Sequence, residues 1–201
     1  MRESLHRRFG WFVAVLMICT TSAASEDKPW SRAYRSEVYG VVQVLGSDEV
    51  SGLHGMARAN FDTTPVYGVG MGVNINAHLN VNTEIMLGWA DIKDYWVDMP
   101  ELADRDENQQ IYLWNVNLDY NILKGRLTPV VGGGVGILGL NGDDRLHEVH
   151  FAGNVGAGIR WDMTDHLALR VLYRCTWWEI KDADDPFQFD GVTASLIWTF
   201  K

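Results

Sequence analysis

Several groupings of residues have the types and spacing that could support chemistry. Gly134-Val-Gly136-Ile-Leu-Gly139 has the G-x-G-x-x-G spacing of a dinucleotide-binding turn and follows an apolar run. Such a turn works by seating a pyrophosphate on the N-terminus of the helix directly after it. Here the chain continues as Leu140-Asn-Gly-Asp-Asp144, a turn cluster, and then alternates again from His150. With no helix to follow, no cofactor is expected. His54, His147 and His150 could act as bases, but hydrolysis also needs a nucleophile held beside the base, and no His-x-Ser arrangement occurs. No catalytic residue is assigned. Acidic residues gather at Asp91, Asp94, Asp98, Glu101, Asp104, Asp106 and Glu107, at Asp143, Asp144 and Glu148, and at Glu179, Asp182, Asp184 and Asp185. Clustered oxygens suit hard divalent cations, yet Asp182-Ala-Asp-Asp185 lacks the full calcium-loop pattern, so no metal site is named. Five further charges, Glu84, Asp119, Arg160, Arg170 and Arg174, are scattered along the chain. Their meaning depends on the elements that carry them.

Those elements are strands. From residue 38 to residue 200 the sequence resolves into eight stretches of alternating residues, each near the ~9–11 needed for a tilted strand to cross a bilayer. Tyr67, Val69, Met71, Val73 and Ile75 fall on one face, opposite Gly68, Gly70, Gly72, Asn74 and Asn76. Tyr112, Trp114, Val116, Leu118 and Tyr120 oppose Asn115, Asn117 and Asp119 in the same way. The glycines of the nucleotide-like segment alternate with Val131, Val135 and Ile137, which makes them one face of a strand. The first stretch, 38–46, is the least decisive, since Gly40 and Val42 could face either way. Connections at 76–78, 121–127 and 162–166 are short, whereas those at 47–64, 90–108, 141–149 and 179–186 are mostly longer and polar. Tight turns at one end and loops at the other describe a meander of hairpins.

Arg7 and Arg8 precede the apolar run Trp11-Phe-Val-Ala-Val-Leu-Met-Ile-Cys19, followed by small residues. Residues 1–24 are expected to be a cleaved secretory signal, since the run falls short of the ~20 residues of a spanning helix. Residues 25–201 form one expected domain, with no second domain. Cys175 is then the sole cysteine, so an intrachain disulfide is excluded. A net charge of -9 without a basic block argues against nucleic acid as a partner.

Alternation alone fits both a soluble barrel with an oily interior, such as a lipocalin-like carrier, and a membrane barrel with an oily exterior. The second face separates them. Glycine gains nothing from bulk water, whereas a narrow lumen has room for little else. Glu84, Asp119, Arg160, Arg170, Arg174 and Ser195 then fall on the lumen face, where charges must pair. The expected pairing is Glu84 with Arg170. Trp89, Tyr112, Tyr120, Trp161, Trp177, Trp178 and Trp198 fit interfacial girdles.

These features resemble the small outer-membrane β-barrels of Gram-negative bacteria, the OmpA-type transmembrane domain and its OmpX/Ail-like relatives. The terminal Val192-Thr-Ala194-Ser-Leu196-Ile-Trp198-Thr-Phe200 is similar to that family's assembly signal, departing from it in the extra Lys201. The glycine-rich segment from Pro129 to Gly136 is similar to a strand common in these barrels. The resemblance implies an eight-stranded antiparallel up-and-down barrel in the outer membrane, with termini in the periplasm and acidic loops outside. Its implied partners are outer-membrane lipid and lipopolysaccharide, the barrel assembly machinery, and an extracellular partner reached through the loops. The expected role is structural or surface-interactive. A lipid A-modifying enzyme, a narrow gated channel and the soluble carrier are the alternatives.

Overall fold

The computed structural model describes residues 31–46, 48–52, 57–61, 63–96, 105–141, 147–178 and 187–200. The expected signal at 1–24, His54, Lys201 and the acidic residues Asp98, Glu101, Asp104, Asp143, Asp144, Glu179, Asp182, Asp184 and Asp185 lie outside them. The strands are β1 (Ser36–Leu45), β2 (Asp48–Gly52), β3 (Ala57–Phe61), β4 (Thr64–Asn74), β5 (Leu79–Trp96), β6 (Arg105–Asn121), β7 (Leu127–Asn141), β8 (His147–Asp162), β9 (Leu167–Trp178) and β10 (Phe187–Phe200). Eight of them close a circle of antiparallel neighbours, β1-β4-β5-β6-β7-β8-β9-β10 and back to β1. Closure leaves the circle without an open edge, which hydrocarbon requires because it offers no partner to an unpaired amide. The remaining two, β2 and β3, form a hairpin on the upper part of β5, inside the stretch expected to be a long loop.

The oily face points outward. Val69, Met71, Ile85, Trp114, Val116, Leu118 and Leu196 are exposed, whereas Asn82, Asn115, Asn117, Arg160, Arg170 and Arg174 are buried. This arrangement removes the soluble-carrier alternative, whose apolar face would line the interior. In β1, Gly40 and Val44 face out while Glu37, Tyr39, Gln43 and Leu45 face in. The assembly-signal residues Val192, Leu196, Trp198 and Phe200 are exposed on β10, with Ala194 half-buried among them.

Two features of the wall depart from the expected pattern. β5, with 18 residues, and β6, with 17, run well past the apolar band, so that Asp91, Asp94, Asp106 and Glu107 lie on strands. At ~3.3 Å per residue and a tilt near 45°, β5 rises about 40 Å, well above an apolar band of about 25 Å. Trp178 is not a girdle residue: it is 1% exposed and packs on Phe189 inside the barrel, with ring centroids 4.6 Å apart. The step of parity between Trp177 and Trp178 sends one ring to lipid and the next to the core.

The short turns mark the periplasmic end. Two of them use one device. Asn76 Oδ1 accepts from the amides of His78 and Leu79, and Thr164 Oγ1 accepts from those of His166 and Leu167. Each histidine then stacks on a girdle aromatic one strand further on, His78 on Tyr120 of β6 and His166 on Trp198 of β10. Thr83, a polar residue in the oily face, has a similar logic. Its Oγ1 accepts from Trp114 Nε1 at 2.9 Å and donates to the Asn115 carbonyl at 3.0 Å, which satisfies an indole N–H that lipid could not.

Candidate functional site

The candidate side chains meet in the lumen, because the inward face of every barrel strand ends there. Its periplasmic half is polar. Arg174 pairs with Glu84, and Arg170 pairs with Asp119 while its guanidinium lies over the Tyr39 ring, 4.9 Å from the centroid. Arg160 joins Glu37 at 2.6 Å and Asp162 at 3.0 Å. Arg32 reaches the other oxygen of Asp162 at 2.7 Å. Four guanidinium groups thus meet four carboxylates, all nearly inaccessible to solvent. Balanced charge is what permits burial, since an isolated ion there would cost several kcal/mol.

Asparagines join the ion pairs of Glu37 and Asp119 into one network. Asn74 donates to Glu37 at 2.6 Å, and Asn80 donates to both Glu37 and Asn74. Asn82 donates to Asn80 and to Asp119, each at 2.9 Å, and accepts from Tyr39 Oη and Asn117. Asn154 closes the row by donating to Asn117 at 3.0 Å. An amide carries both donor and acceptor, so it can pass hydrogen bonding from one ion pair to the next without adding charge.

Arg32 stands apart because it lies ahead of the first strand. Tyr34, with φ 61°, turns the chain at the periplasmic opening, and Arg32 is carried beneath the barrel. Besides Asp162, its guanidinium donates to the carbonyls of Ala77, Leu123 and Gly125. One side chain therefore ties together residues at all three periplasmic turns. Burial lowers its pKa from the ordinary guanidinium value, against the opposing pull of Asp162.

The outer half of the lumen is mostly apolar, with Thr64 and Thr176 buried beside Leu45 and Phe189. Leu45, Val66, Met86, Ile111, Leu113, Leu138, Trp178 and Phe189 form a continuous buried cluster above the ion pairs. Lumen glycines act as seats for the larger side chains. A Cβ at Gly70 would collide with the Tyr39 ring, one at Gly132 with Asp119, and one at Gly134 with Asn117. Between the two layers Gln43 Nε2, Glu84 Oε2, Arg170 Nε and Nη2, Thr193 Oγ1 and Ser195 Oγ have no protein partner.

All five lumen charges expected from the sequence, Glu84, Asp119, Arg160, Arg170 and Arg174, are buried. Their pairing differs from the expected one: Glu84 binds Arg174, and Arg170 binds Asp119. Strand tilt and register decide which charges share a level, and face alone does not encode that. Glu37, Asp162 and Arg32 were missed. Glu37 sits in the ambiguous first strand, Asp162 closes a strand where a turn was expected, and Arg32 lies outside every strand. Ser195 is fully buried and faces the lumen, while His147 and His150 lie on β8. Among the described residues no group of three or more His, Cys, Asp or Glu is placed to hold a metal ion.

Comparison with known proteins places this architecture. The chain is similar to OprG of Pseudomonas aeruginosa, with 11% identity, a TM-score of 0.64, and coverage of 87% of this chain and 99% of that one. It is also similar to Neisserial surface protein A, with 13% identity, a TM-score of 0.54, and coverage of 83% and 97%. The N-terminal barrel of OprF from Pseudomonas aeruginosa gives 10% identity, a TM-score of 0.51, and coverage of 84% and 98%. At such identities the likeness is one of fold. No curated protein sequence matches the chain. Residues 12–200 match the family described as outer membrane protein beta-barrel domain. The chain belongs to that outer-membrane β-barrel family, and its place is the outer membrane.

Proposed function

We propose that this protein is a sealed barrel that serves the outer membrane as a structural element and meets its surroundings through the strands and loops of its outer end. The observation that carries this reading is the filled lumen. Paired charges and asparagines occupy the periplasmic half, and a hydrocarbon layer closes the outer half. A permanent aqueous pore would need a continuous polar path, and the apolar layer interrupts it. The outer extension of β5 and β6, with the β2–β3 hairpin, supplies a surface above the bilayer. Its acidic character suits contact with a cationic partner or with divalent ions among lipopolysaccharide headgroups.

A non-enzymatic role is part of this proposal. Ser195, a hydroxyl on the lumen face, is fully buried and out of reach of a lipid substrate. The test is a deletion strain complemented with loop-swapped variants. A structural role predicts that detergent and large-antibiotic resistance falls on deletion and returns with either loop set. A surface-contact role predicts that the swapped protein assembles but loses attachment. Altered lipid A acylation on expression, read by mass spectrometry, would overturn both.

A further inference from the structure

Seven of the eight neighbouring strand pairs in the barrel wall are joined by a stretch of the chain that runs from one strand to the other. The eighth, β1 with β10, brings together the first and the last strand of the circle, and no turn connects them. A turn keeps two strands close after their hydrogen bonds break, so a pair without one gains more chain entropy when it parts. The β1–β10 seam is therefore where the wall opens most readily.

The residues just ahead of β1 supply what the seam lacks, from across the periplasmic mouth. Tyr34 N donates to the Asn74 carbonyl at 2.8 Å and Asn74 N to the Arg35 carbonyl at 2.9 Å, which extends the β1–β4 ladder below Ser36. A turn closed by Arg35 N on the Arg32 carbonyl at 3.2 Å, with Tyr34 at φ 61°, then folds Arg32 back under the lumen. A bulky residue keeps that left-handed conformation only where its surroundings over-determine it. The Tyr34 side chain is 82% exposed, so packing does not hold it there. The grip of Arg32 does. Its guanidinium reaches Asp162 at the end of β8, Ala77 in the β4–β5 turn, and Leu123 and Gly125 in the β6–β7 turn, which lies opposite β1 in the circle. Both margins of the seam also meet the β8–β9 turn: Arg35 donates to the Asp165 carbonyl at 2.6 Å, and Thr199 N of β10 donates to the His166 carbonyl at 2.7 Å. The acceptors of Arg32 come together only after the hairpins that carry them have formed. We propose that residues 32–35 are a strap that locks the β1–β10 seam after the barrel has closed, setting how fast the finished barrel reopens and not how fast it forms.

The test is the rate of folding and of urea-induced unfolding of the full chain in lipid vesicles, read by heat-modifiable migration. All variants carry Cys175→Ser. Gly40→Cys with Leu196→Cys supplies a disulfide across the seam, since the two are register partners and a Cβ at Gly40 meets nothing within 4 Å. In the reduced form Arg32→Ala should unfold about a hundredfold faster than its parent, with a folding rate within about twofold. Once the disulfide has formed and the seam cannot part, that acceleration should fall below about tenfold. A disulfide between β6 and β7, from Val116→Cys with Val135→Cys, should leave the hundredfold effect in place, to within about threefold. Arg32→Lys, which keeps the charge and loses the planar fork, takes the place of alanine if that variant does not assemble. Equal acceleration with and without the seam disulfide would overturn the proposal, because Arg32 would then steady the barrel as a whole. So would an unchanged unfolding rate. So would slower folding, which would put the Arg32 contacts in the folding nucleus.

Discussion

Arg32 gives the clearest case of a single side chain holding distant parts of this chain together, since its partners lie 45, 91, 93 and 130 residues away. Arg32→Ala leaves Asp162 with Arg160 alone and frees three turn carbonyls, so a loss of about 3–5 kcal/mol is expected, the range for breaking a buried ion pair. The shift of the urea midpoint in lipid vesicles would measure it. Within the lumen, Glu84→Gln should destabilise by a similar amount because it strands Arg174, whereas the double variant Glu84→Gln with Arg174→Met should recover much of the loss. A double-mutant cycle showing simple additivity would mean that the two residues are not a pair. Alternation placed Glu84, Asp119, Arg160, Arg170 and Arg174 on the inner face, but Arg170 and Arg174 share parity, so nothing local chooses between them as the partner of Glu84. That choice is made by the register of strands distant in sequence.

At the scale of the strand, alternation is legible where one face is oily and the other is not. β6 shows both the success and its limit. From Trp114 to Tyr120 lipid-facing and lumen-facing residues are chemically distinct, and the assignment follows. Above that, Ile111 and Leu113 belong to the apolar lumen layer, so the inner face becomes oily and the contrast fades. The extension of β5 and β6 beyond the membrane is polar on sequence and reads as loop. Backbone pairing continues there because each strand already has a neighbour in register. Val116 and Gly136 test the element directly. Val116→Arg puts a charge on the lipid face and should cost about 2–4 kcal/mol if the residue lies at the bilayer midplane. Gly136→Ala should also destabilise, since its Cβ would collide with the Trp114 carbonyl and the Asn115 side chain. Equilibrium unfolding in vesicles would report both, and a wild-type midpoint for either variant would contradict the orientation or the packing assigned to that strand.

For the whole molecule, closure and filling are the properties from which the proposed role follows. The eight-strand circle satisfies the backbone, the neutral set of ion pairs permits polar groups inside, and the apolar layer around Trp178 and Phe189 closes the outer half. The overall architecture was legible because turn length, strand length and face chemistry are each written locally. The division of the lumen into a polar half and an apolar half was not, because it arises from levels shared across the barrel. If the seal is real, opening it should require more than the loss of one ion pair, since the apolar layer remains. The most direct test is planar-bilayer recording from the purified, folded wild-type protein. The sealed lumen predicts a current indistinguishable from that of the lipid alone, and reproducible unitary steps from the wild-type barrel would contradict it.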